Sequence, residues 1–134
     1  DSMSKTGAFV RAFAGAVMAG AIAQNAFAVA DEDLSFKTTE DLFQVCSVQE
    51  GAAEYIPASL ACRAFIEATV QYHDEVSDRK NLKRLICYPS TATVEEGRQI
   101  FVGWAKKNAR NKKLMGEQPV VGLVRSLAAR YPCK

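Results

Sequence analysis

Four cysteines set between prolines constrain this chain more than any other feature. They are Cys46, Cys62, Cys87 and Cys133, the last two in Cys87-Tyr88-Pro89 and Tyr131-Pro132-Cys133. An even number of cysteines in a short exported chain reads as a disulfide framework rather than as thiol chemistry.

Export is expected from the N-terminal residues. Met3 reads as the start, with Asp1-Ser2 a cloning remnant. Lys5 and Arg11 are positive, and Ala12 to Ala23 is a 12-residue apolar run. Ala26-Phe27-Ala28 then offers small residues where signal peptidase cuts, so residues 1–28 read as remnant plus cleavable secretory signal. Twelve helical residues span roughly 18 Å, too short for a hydrocarbon core of about 30 Å. No membrane span is therefore expected after cleavage. Residues 29–134 are expected to form one domain carrying 15 basic and 14 acidic residues. That near-balance gives no reason to expect nucleic acid as a partner.

Within that domain the apolar spacing is helical and no segment alternates, so no strand is expected. Thr38 caps a first helix, with Asp41 completing a capping-box pattern, and Glu50-Gly51 is read as its end. Pro57 opens a second helix, whose apolar face is read as Leu60, Ala61, Ala64, Phe65, Ala68 and Tyr72. Thr93-x-x-Glu96 is a second capping box. The helix it opens buries Gly97, Ile100, Phe101, Trp104 and Ala105. Asn108 to Gly116 reads as a basic connector. Pro119 opens a last helix with the stripe Val120, Leu123, Val124, Leu127 and Tyr131, which Pro132 ends. The fold class expected is all-α: a compact bundle of four or five helices stapled by two disulfides.

Four cysteines allow three pairings. An antiparallel hairpin of the first two helices would set Cys46 against Cys62, leaving Cys87 to pair with Cys133. The two crossed pairings stay open on sequence grounds.

The chain offers little for catalysis, and it is read as a non-enzyme. His73 is the single histidine. On a continuous helix it lies roughly 16 Å from Cys62, too far for a nucleophile–base pair. It reads as an exposed histidine favoured by the negative end of the helix dipole. No zinc-type spacing, calcium loop or phosphate-binding glycine loop is present, so no metal or cofactor is expected. Two basic clusters remain: Arg79, Lys80, Lys83 and Arg84, then Lys106, Lys107, Arg110, Lys112 and Lys113. Of these, Arg79, Lys80, Arg84 and the whole second cluster are the candidates for contact with an acidic partner, steering encounter more than setting affinity.

From Glu40 to Lys134 the chain resembles the Rap/Tai immunity proteins of bacterial type VI secretion systems. The resemblance is carried by Asp41-Leu42-Phe43 to Cys46, Cys62 to Ile66, Cys87-Tyr88-Pro89, Thr93-Val94 to Trp104, and Leu127 to Cys133. The chain departs from it after the second cysteine. Ala64-Phe65-Ile66-Glu67-Ala68 stands where members commonly have Gly-Tyr-Ile-x-Gly. The resemblance implies a periplasmic, helical, often self-associating homodimer that neutralises a peptidoglycan amidase toxin by covering its active-site groove. Two other readings fit the same residues: a disulfide-pinned periplasmic chaperone, and an accessory subunit of an envelope secretion or conjugation machine.

Overall fold

The computed structural model describes residues 35–79 and 81–134. The expected signal segment 1–28 and Lys80 lie outside them. The described residues form five helices: α1 (Thr39–Cys46), α2 (Tyr55–Arg79), α3 (Val94–Asn108), α4 (Lys112–Met115) and α5 (Pro119–Arg130). No strand occurs among them. The all-α bundle expected from the spacing is the observed architecture.

Both capping boxes are present. Thr38 Oγ1 accepts from the Asp41 N–H at 3.1 Å, and the Asp41 carboxylate accepts the Thr38 N–H at 2.9 Å. Thr93 and Glu96 repeat the exchange at α3. Each box satisfies N–H groups that a helix start leaves without intrahelical partners. Pro119 is the first residue of α5, where its missing N–H costs nothing.

The core is built from Leu42, Cys46, Cys62, Ile66, Ile86, Phe101, Ala105, Met115, Leu123 and Leu127. Disulfides join Cys46 to Cys62 and Cys87 to Cys133, with Cα–Cα separations of 5.1 and 5.0 Å. The first ties α1 to α2 inside the core. The second ties the segment 81–90, a non-helical strap after α2, to the chain end. There the Cys87 N–H also donates to the Tyr131 carbonyl at 2.9 Å.

Several expectations need correction. The first helix stops at Cys46, not near Gly51, and Ser47 caps it. The second begins two residues before Pro57 and runs through the His73–Asp78 stretch to Arg79. Its inward face is Cys62, Ile66, His73 and Ser77; Leu60, Ala64, Ala68 and Tyr72 face outward. The disulfide decides this: Cys62 must meet Cys46 in the core, and that turns the Leu60 side of the helix to solvent. The basic connector contains the single turn α4, capped by Asn111. On α5, Leu123 and Leu127 are buried while Val120 is exposed.

α1 crosses α5 at close range. Thr39 is fully buried, and its N–H donates to the Glu117 carbonyl at 2.8 Å. Its hydroxyl lies 3.1 Å from both the Glu117 and Gln118 carbonyls. A Cβ on Gly122 would overlap the Thr39 side chain, so only glycine lets the two backbones approach this way.

Candidate functional site

The end of α2 and the strap that follows are held by one polar network. Asn81 carries a positive φ of 51°, a left-handed conformation that asparagine tolerates, and it turns the chain back along α2. His73, which the sequence places in solvent, is 8% exposed. Its Nε2 accepts the N–H groups of Leu85 at 3.1 Å and Ile86 at 3.2 Å. Those partners assign a neutral ring with the proton on Nδ1, which donates to Asp74 Oδ1 at 3.0 Å. The histidine is thus a backbone anchor for the strap and not a helix-end cation.

Asp74 gathers the other contacts. Arg84 Nη2 donates to its Oδ1 at 2.6 Å, and the Tyr88 hydroxyl donates to its Oδ2. Burial alone would raise the Asp74 carboxyl. The hydrogen bonds from Tyr88 and His73, with the charge of Arg84, outweigh burial and hold it below its ordinary value. The same hydrogen bond to Asp74, then burial, pushes the Tyr88 phenol up. Arg84 also reaches Asp78 at 3.1 Å, and Arg79 pairs with Glu75. Beside the network, Ile66, Val70, Asp74, Tyr88, Val94 and Leu127 help line a groove of about 260 Å³.

A second charged contact holds α1 to α3. Arg98 Nη1 donates to the Cys46 carbonyl at 2.9 Å, satisfying an acceptor at the end of α1. Its Nη2 pairs with Glu95 Oε1 at 2.6 Å. That hydrogen bond lowers the Glu95 carboxyl and raises the Arg98 guanidinium.

The structure separates the two basic clusters by role. In the first, Arg79 and Arg84 are already paired with carboxylates of α2. In the second, Lys106, Lys107, Arg110, Lys112 and Lys113 are all exposed at the corner between α3 and α4. None of these five is paired with a carboxylate among the described residues. From Gly97 to Lys134 the sequence has nine basic residues and one acidic one, Glu117. Glu117 pairs with Arg125 at 2.9 Å. The near-neutral total therefore conceals a strongly basic C-terminal third of the domain. The clusters do not merge: the end of α2 lies by the start of α3, where Val70, Gln71 and Asp74 line a groove with Thr93 and Val94. The unpaired corner is at the other end of α3, which at 15 residues is roughly 22 Å long.

Sequence reasoning missed the roles of Thr39, His73, Asp74 and Arg98. The adjacent His73-Asp74 pair, with Arg84 and Tyr88 following within one strap length, was the available signal. Among the described residues no group of three or more His, Cys, Asp or Glu is placed to hold a metal ion. No described helix is long and apolar enough to cross a membrane.

No curated protein and no solved structure gives a significant match to the chain. The family model for Rap1a immunity proteins matches residues 38–133. That match opens at the Thr38 cap, closes at Cys133, and takes in all five helices and both disulfides. The chain belongs to the Rap1a immunity protein family.

Proposed function

We propose that this protein acts in the periplasm, where it binds a peptidoglycan amidase toxin delivered by a type VI system and covers its active-site groove. The family gives the coarse part of this reading: a toxin immunity protein, working as a non-enzymatic inhibitor. The observation that carries it is the coincidence of the family match with the doubly stapled domain. Cys46–Cys62 and Cys87–Cys133 suit an oxidising compartment outside the cytoplasm. A body pinned in this way presents its surface pre-ordered, and so loses less entropy on binding.

The unpaired corner Lys106, Lys107, Arg110, Lys112 and Lys113 supports an acidic rim on the toxin as its counterpart. Charges so placed accelerate encounter and repel cationic competitors. Arg84 and Arg79 serve first to hold the strap and the end of α2. Self-association belongs to the same proposal. Ala64 and Ala68, which replace the family's common glycines, lie on the exposed side of α2, so the replacement leaves the bundle core untouched.

The test is binding and residual peptidoglycan cleavage, using residues 29–134 and a type VI peptidoglycan amidase sought among the genes neighbouring this one. Tight binding with loss of cleavage supports the proposal. Unchanged cleavage without binding rejects it.

A further inference from the structure

α5 is apolar on two sides. Gly122, Leu123, Ser126 and Leu127 face the core. Val120, Val121, Val124 and Ala128 fall at helical spacing on another side, where Val120 and Val121 are exposed and Val124 and Ala128 are partly buried against the core. Leu85 of the strap stands alongside, and these five residues with Arg125 line an open groove of about 430 Å³. Leu85 is 52% exposed, Val120 39% and Val121 38%, and Leu82 on the same strap is 58% exposed. Apolar side chains gathered on one face of a small domain mark an interaction surface.

Leu85 is held in place from behind. Its N–H and that of Ile86 are fixed by His73, and the Cys87 N–H by the Tyr131 carbonyl. The next side chain, Ile86, is fully buried. The strap therefore cannot turn Leu85 inward without losing its anchor. The groove wall is pre-ordered, which is what an anchoring site for a partner segment requires.

Charge identifies the occupant. Three residues separate α4 from α5, so the basic corner adjoins the Val120 end of the groove. The carboxylates nearest in sequence to its two walls, Glu117 and Asp78, are paired with Arg125 and Arg84. Among the described residues, a second copy of this face would set the same unpaired cations against each other, with the two carboxylates nearest its walls already paired. We propose that the groove between Leu85 and the outer side of α5 anchors an apolar segment of the toxin flanked by acidic residues. The proposal rests on the immunity reading and adds the surface and the chemistry of what it holds.

The test uses the full domain, with the peptidoglycan amidase of the preceding experiment as probe, and reads association and dissociation rates at two salt concentrations. The variants are Leu85→Glu, Val121→Glu, the pair Lys112→Glu/Lys113→Glu, and Leu60→Glu on the exposed side of α2 as control. Leu85→Ala replaces Leu85→Glu should the latter not fold. Expected are a dissociation rate raised about 30-fold or more for Leu85→Glu and Val121→Glu, a slower and less salt-sensitive association for the lysine pair, and no change for Leu60→Glu. Binding of Leu85→Glu and Val121→Glu at wild-type rates overturns the groove while leaving immunity intact. A wild-type dimer that Leu85→Glu splits into monomers also overturns it, in favour of a second copy. Failure of the wild-type protein to bind the amidase removes the immunity reading and the groove together.

Discussion

At the scale of single residues, His73 and Asp74 determine where the strap lies. Replacing His73 with alanine leaves the Leu85 and Ile86 N–H groups without their acceptor, and Ile86 is fully buried. Unfolding in urea should show a loss of about 3 kcal/mol for His73→Ala, against less than about 0.5 for the outward-facing Tyr72→Ala. Asp74 carries a pH dependence. Its carboxyl is lowered in the fold, so its contribution is fully present above the ordinary value of 3.8 and is lost as pH falls through the lowered one. Asp74→Asn should therefore cost about 1–3 kcal/mol near pH 7, and melting curves of the variant and wild type should begin to approach each other only below pH 3.8 and converge once pH has passed the lowered value. Little of this was legible in the sequence. Periodicity marks apolar side chains, and these contacts are polar: His73 takes backbone N–H groups twelve and thirteen residues away, and Asp74 takes the side chains of Arg84 and Tyr88.

At the scale of elements, the caps were legible and the faces only partly so. Thr38/Asp41 and Thr93/Glu96 act within a single turn, so local sequence suffices to find them. The inward face of α2 was misread because apolar residues occur on both sides of that helix. Leu60, Ala64 and Tyr72 outnumber Ile66, yet Cys62 fixes the rotation by its bond to Cys46. His73 and Ser77 complete the inward face despite their polarity, since each has its hydrogen bond. The α1–α5 crossing makes a sharper prediction. Gly122→Ala must displace Thr39 from the Glu117 and Gln118 carbonyls, and should cost at least about 2 kcal/mol. Gly97→Ala should cost less, since its Cβ would meet only side-chain carbons, Ile66 Cγ2 at 3.4 Å and Leu127 Cδ2 at 3.9 Å. Thermal melting of the two variants side by side checks the order.

At the scale of the whole molecule, the two disulfides and the distribution of charge matter most. The bonds close 16- and 46-residue separations, which in the chain-entropy model are each worth about 3 to 4 kcal/mol. Reduction should lower Tm sharply. Removal of Cys87–Cys133 alone, by paired serine substitution, should loosen the strap first, seen as faster amide exchange at Leu85 and Ile86. The pairing itself was within reach of the sequence, because helices joined by a short turn bring Cys46 and Cys62 together even though α1 ends earlier than the spacing suggested. The charge pattern was hidden by totalling it: a near-neutral domain contains a corner of five unpaired cations followed by an exposed apolar groove. The claim that depends on all of this is inhibition of a wall-degrading toxin by a rigid surface. The most direct measurement is amidase cleavage of peptidoglycan with increasing amounts of the oxidised 29–134 domain. The account predicts that cleavage falls to background at one domain per amidase molecule, and that Lys112→Glu/Lys113→Glu slows the onset of inhibition. Cleavage that continues undiminished at a large excess of oxidised, folded domain would contradict it.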